Sequence, residues 1–190
     1  MEEDDSVKQF FSWLTTAATL TFALPDVVAQ DDPRLDTLFG KLKSTRDVTE
    51  AYEVEQEIWS VWLVSGDDRA DAIIAKGLRA MTLRDYDTAL GAFDEIVRLV
   101  PNFAEGWNKR ATVYYLLGNY KASTADIETA LALEPRHFGA LTGLGLIRLA
   151  QGDDAKALEA FEAALEVHPH LPGADSHIKE LRQRIKGKRI

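Results

Sequence analysis

Between residues 70 and 171 apolar side chains recur three and four positions apart, the spacing of one helical face, and the pattern itself returns every 34 residues. Pro101, Pro135 and Pro169 mark the period. Gly77, Ala111 and Gly145 share a register, as do Ala89, Ser123 and Ala157, and then Phe93, Ile127 and Phe161. Such a lattice predicts three helical hairpins. The small residues of the first helix face the second helix, those of the second face back, and the lack of bulk lets the axes approach. Phe93, Ile127 and Phe161 are predicted to fill the gap between neighbouring hairpins. Asp85, Asn119 and Asp153, again in register, are well suited to accept a free backbone N–H at the start of each second helix. Gly118 and Gly152 stand where the preceding helix ends in a left-handed residue. Asn102 with Glu105 reads as a capping box opening the second hairpin.

This order of small, large and turn residues resembles the tetratricopeptide repeat, most clearly in the middle copy, with Trp107, Ala111, Tyr114, Gly118, Tyr120, Ala130 and Pro135. The resemblance covers 70–171. It departs at Ile73 and Ala80 in the first copy and at Leu141 and Arg148 in the third. It implies an all-α, right-handed solenoid of repeats 70–103, 104–137 and 138–171 within a region 67–171. A single hairpin cannot bury its apolar face, so the three stack.

The resemblance also implies a concave surface lined by the first helix of each repeat. The residues pointing into it would be Asp71, Ile74, Leu78 and Met81, then Glu105, Asn108, Thr112 and Tyr115, then Gly139, Thr142, Leu146 and Leu149. Family members that grip the C-terminal carboxylates of chaperones use Lys, Asn and Arg there. Only Asn108 with Lys109 is similar, so that mode of binding is not expected. Ile74, Leu78, Met81, Tyr115, Leu146 and Leu149 instead predict an apolar stripe, with Asn108 and Thr112 in its middle able to bond a backbone. An amphipathic helix or extended apolar segment of a partner protein is the expected occupant. The alternative occupant is the chain's own Asp31–Val64 segment or its last helix.

Outside the repeats, Leu35, Leu38, Phe39 and Leu42 share one helical face, and Ala51, Val54, Ile58, Trp59, Trp62 and Leu63 follow in a second helix closed by Gly66. Residues 30–66 are thus predicted to form a helical hairpin that covers the exposed end of the first repeat. Residues 172–190 are predicted to form a capping helix from Ala174 to Ile185, with Ile178, Leu181 and Ile185 on its apolar face, and a short basic tail.

The first 29 residues differ. Phe10 to Leu24 carries fifteen residues without a charge, ended by Pro25 and followed by Val27-Val28-Ala29. This is the apolar core and small-residue cleavage pattern of a secretory signal, cut after Ala29. It is shorter than the roughly 20 residues of a spanning helix. The acidic start Glu2-Glu3-Asp4-Asp5 is at odds with a signal, and initiation at Val7, as at a bacterial GTG codon, would restore a basic one. A membrane anchor and a packed helix are the other readings. Membrane contact is expected only through residues 7–24, if they are retained.

The absence of cysteine excludes thiolate chemistry and cysteine–zinc sites. A net charge of −9 opposes nucleic-acid binding. His168, His170 and His177 sit close together about the polar turn before the capping helix, and His137 opens the third repeat; Pro169 and Pro172 break up the segment, and these histidines do not read as a metal site. Asp67-Asp68 and Asp153-Asp154 fall at helix starts, where carboxylates suit the dipole. Gly143-Leu144-Gly145 follows no strand and is no phosphate loop. No cofactor, small-molecule substrate or catalysis is expected. The chain reads as a protein-binding scaffold in the bacterial periplasm or cell envelope, or else as a cytoplasmic adaptor or co-chaperone that keeps residues 1–29.

Overall fold

The computed structural model describes residues 29–187. The segment read as a secretory signal lies outside them, except for Ala29. A short helical turn, Ala29–Asp31, precedes α1 (Arg34–Ser44) and α2 (Val48–Trp62). The stack consists of α3 (Asp68–Thr82), α4 (Tyr86–Leu99), α5 (Ala104–Leu116), α6 (Tyr120–Leu133), α7 (Phe138–Ala150) and α8 (Asp154–Val167). It ends in α9 (Ala174–Gly187). Among the described residues all regular structure is helical. None of these helices is long and apolar enough to cross a membrane.

The turn chemistry sets the helix boundaries. Asp85, Asn119 and Asp153 each accept a backbone N–H three residues on. Gly118 and Gly152 have φ of 74° and 76°, and in the first repeat Arg84 takes the same left-handed turn at φ 58°. The expected box at α5 does not form. Phe103 is its N-cap, and no side chain within the helix caps it. The amide of Gln30 closes this end instead: its Oε1 accepts from Ala104 N and its Nε2 donates to Asn102 O. Glu105, which has the spacing of a capping box, is drawn into the interior.

α3 pairs with α4, α5 with α6 and α7 with α8. Phe93 and Phe161 fill space within their own hairpins, whereas Ile127 also reaches Gly143 of the next hairpin, as expected of a gap-filling residue. A Cβ placed on Gly77 would lie 2.7 Å from the Phe93 ring, and one on Gly145 2.8 Å from the Phe161 ring. In the middle repeat Ala111 faces the smaller Ile127, so the small and large partners trade volume. There Ser123 donates to Ala111 O at 2.7 Å. Arg110 joins the first two repeats. It makes two 2.7 Å bonds to Asp126 and one of 2.9 Å to Asp94. Those carboxylates, Asp126 foremost, raise its pKa further.

The N-terminal hairpin is not where the sequence places it. Leu35, Phe39 and Leu42 of α1 pack on Val54, Ile58 and Trp62 of α2, and this cluster continues into Phe138, Val167 and Leu171. α2 therefore lies mainly against the second and third repeats, with Trp59 over α5 and α7, and reaches the first only through Leu63 at its end. At the other end Ile178 and Leu181 of α9 cover Ala157 and Phe161.

Candidate functional site

The concave face is built around the start of α7. His137 is its N-cap, fully buried, and Nδ1 accepts the Ala140 N–H at 3.1 Å. A ring nitrogen that accepts a backbone proton carries none, so the proton is on Nε2, which donates to Glu105 Oε2 at 2.9 Å. Asn108 Nδ2 donates to the same oxygen at 2.7 Å, and Lys109 Nζ stands 2.8 Å from Oε1. Burial pushes the Glu105 carboxyl up, but Lys109 and His137 outweigh it and bring its pKa to about 2. The carboxylate is thus ionised, with both oxygens answered.

α2 packs above this buried group. Trp62 stacks on the His137 ring with centroids 4.1 Å apart and planes 10° from parallel. Trp59 meets His137 and Phe138 edge-on, at 5.7 and 5.2 Å. Gly139 makes room for it, since a Cβ there would stand 2.7 Å from Trp59 Cη2. Lys109 Nζ lies 5.1 Å from the Trp59 ring centre. Trp59 Nε1 donates to Glu55, whose other oxygen faces His168 Nε2 at 3.2 Å. His170 Nε2 donates to Thr45 O at 3.0 Å. Arg136 bonds Asp36 at 2.6 Å and lies over the Phe39 ring.

The histidines are therefore not the polar turn groups that the sequence suggests. His137 and His168 are buried, and His177 stacks on Phe161. Among the described residues no three His, Cys, Asp or Glu are grouped as metal ligands. The His137–Glu105 pair is sealed from any substrate by Trp62, so it holds a helix start in place and binds α2.

Beside Trp59 a cleft of about 270 Å³ remains open. Of the residues expected on the concave surface, Asn108, Thr112, Tyr115, Gly139, Thr142 and Leu146 line it, together with Glu55, Trp59 and Leu171. Ile74 is instead buried in the first core cluster, and Leu78 and Met81 pack against that cluster. Asp71 accepts from Ser65 at 2.6 Å. Leu146 and Leu149 pack against the last cluster. The stripe is thus divided: its first third belongs to the core, and α2 lies over part of the rest. Asn108 spends its amide nitrogen on Glu105, and Thr112 donates to Asn108 O. Sequence reasoning missed Glu55, Trp59 and Leu171. The pair Trp59 and Trp62, three apart on one helix with no repeat consensus, was the available signal.

The tetratricopeptide-repeat family model matches residues 74–125 and 117–172. The chain is 37% identical over 156 residues to a TPR repeat-containing protein of Rhizobium etli, covering 82% of this chain and 76% of that protein. It is 29% identical over 99 residues to small glutamine-rich tetratricopeptide repeat-containing protein 2 of Saccharomyces cerevisiae, covering 52% of this chain but only 29% of the yeast protein. Among solved structures, the first TPR domain of Spaghetti (RPAP3), bound to the HSP90 peptide SRMEEVD, matches with a TM-score of 0.61 at 22% identity. That match covers 63% of this chain and 96% of the other. With the 34-residue period, the capped hairpins and the small–large pairs, these matches establish that the chain belongs to the tetratricopeptide-repeat family.

Proposed function

We propose that this chain is a non-enzymatic adaptor whose repeats, 70–103, 104–137 and 138–171, hold a segment of another protein on their concave face. The observation that carries the reading is the cleft lined by Thr112, Tyr115, Thr142 and Leu146, which is largely apolar and open to solvent beside Trp59. The His137–Glu105 pair is buried away from that space, and the one carboxylate on its lining, Glu55, is engaged by Trp59 and His168. Asn108 and Lys109, the clamp-like residues, are both engaged by Glu105, which argues for apolar contacts over grip on a chain-terminal carboxylate.

The test is photo-crosslinking in the native cell with a crosslinkable residue at Thr142 or Thr112, and at exposed Glu159 on α8 as a control. A common partner captured from the first two positions and absent from the third is expected. Tyr115→Asp should then abolish that capture while leaving the helical circular dichroism intact. Capture only from α8 would place binding on the outer helices and defeat the proposal.

Export to the periplasm is part of this reading, motivated by the uncharged run Phe10–Leu24 and the small residues before Gln30. N-terminal sequencing of the protein from cells should give Gln30 first, and a retained Met1 or Val7 would refute export. A second reading, a cytoplasmic adaptor or co-chaperone with residues 1–29 kept, draws support from Ala29, whose side chain belongs to the first core cluster with Ala70 and Ile74.

A further inference from the structure

We propose that α2 is a built-in occupant of the concave face, and that the partner it stands in for is an acidic amphipathic helix carrying two aromatic rings three residues apart. The proposal rests on the reading that this face is the binding face, and it names the chemistry of the occupant.

Charge complementarity is the first ground. α2 contains four glutamates and no lysine or arginine. The part of the stack beneath the hairpin presents Lys109 and Arg136, which are also paired with the stack's own Glu105 and Glu134, together with His168 and His170. Each also meets the hairpin: Lys109 the Trp59 ring and His168 the Glu55 carboxylate of α2, Arg136 the Asp36 carboxylate of α1, and His170 the Thr45 carbonyl between the two helices. Shape is the second ground. Gly139 sits in the first turn of α7, where glycine weakens a helix. Its missing side chain is the space that Trp59 fills. His137 offers the flat face on which Trp62 stacks. The face is thus a receptor for an indole pair with a carboxylate four residues before the first ring.

The mode of attachment is the third ground. Trp62 is joined to α3 by five residues containing Gly66, at φ 83°. The hairpin meets the second and third repeats through one shared apolar cluster, the Trp59 and Trp62 rings and a few polar contacts, all at sites far apart in sequence. Such an element can leave as a unit while the six stacked helices keep their own pairs. A partner helix with the same face would take its place, and the adjoining cleft would accept whatever apolar residue extends beyond the rings.

The experiment uses the full chain and a labelled peptide of residues 47–63, DVTEAYEVEQEIWSVWL. The wild-type chain should bind the peptide weakly, since its own hairpin competes. Trp59→Ala loosens that hairpin and should tighten peptide binding at least tenfold. Adding Gly139→Ala to that variant should remove the gain, because the new methyl occupies the ring site. A peptide with its four glutamates changed to lysine should not bind. Glu55→Lys, which leaves both rings in place, is the second opening variant and decides the matter should Trp59→Ala fail to fold. The proposal is overturned if folded opening variants bind no tighter than wild type, or if Gly139→Ala leaves the gain intact. Because no cellular partner enters this assay, its failure is separable from a failure of the crosslinking above.

Discussion

In the repeat stack the small–large pairs join residues sixteen apart, Phe93 on Gly77, Ile127 in the cluster of Ala111, Phe161 on Gly145, and Ile96 lies against Gly106 only ten residues on. In the docking of the N-terminal hairpin the contacts span far more chain, 100 residues for Arg136 with Asp36, 113 for His168 with Glu55 and 125 for His170 with Thr45. The stack is built by apolar volume matched within each hairpin, and one solution is used three times. The hairpin is held by one apolar cluster with Phe138, Val167 and Leu171 and by rings, ion pairs and a single carbonyl, each used once. Short-range contacts close small loops and form at low entropic cost, whereas the hairpin must close long ones. The hairpin is accordingly the unit expected to open first.

The largest effect should come from the hairpin's own anchor. Trp62→Ala empties a fully buried ring site, a loss of about 3–5 kcal/mol. Hydrogen exchange should show α2 amides losing protection while α5 to α8 keep theirs. Equal loss in both would mean that hairpin and stack unfold as one body. The stack's counterpart is Gly145→Leu, whose first carbon alone meets the Phe161 ring on its near side. Overpacking there should cost about 1–3 kcal/mol. The exposed Lys121→Ala should stay within about 0.5 kcal/mol. Indistinguishable denaturation midpoints for those two variants would break the account of the small–large pairs. Smaller still is Ser123→Ala. It removes a buried hydroxyl bonded to Ala111 O but installs the residue that the first and third repeats use there, so about 1 kcal/mol or less is expected. A larger loss would show that the middle repeat depends on that bond.

The same contrast governs what could be read from the sequence. The hairpins, their caps at Asp85, Asn119 and Asp153, and the left-handed glycines repeat at one period, and repetition makes a pattern visible. The docking of α2 does not repeat. Nothing near Trp59 or Trp62 in sequence indicates that the space beside Gly139 or the face of His137 awaits them. Glu105 shows why local rules misled. It has the capping-box spacing from Asn102, yet His137, 32 residues on, and Lys109 hold it inside, and the α5 start is closed by Gln30 instead. Ile74, Leu78 and Met81 have the register of concave-surface residues, but the first repeat turns them to its own core. Repeat position gave the direction of each side chain and could not give its neighbours.

The smallest predicted effect separates hairpin from stack by pH. Burial lowers the His168 pKa below its usual 6.5, and the facing Glu55 carboxylate offsets only part of this, with His170 lowering it further. Once α2 leaves, His168 meets water and regains an ordinary value. The open form then binds more protons than the docked form, so docking is at full strength above pH 6.5 and weakens as pH falls below it. Glu105 acts in a different window. Its pKa falls from 4.5 to about 2 in the folded chain, so its contribution is intact above 4.5 and is lost as pH falls toward 2. Between pH 6.5 and 4.5 acid should therefore raise hydrogen exchange in α2 and leave the stack unchanged, and below 4.5 the helices around Glu105 should follow. His168→Asn should flatten the upper window alone. If α2 protection were level from about pH 7.5 to 5.5, about one unit either side of an ordinary histidine, His168 would be a spectator of docking and Glu55 would be held by Trp59 alone.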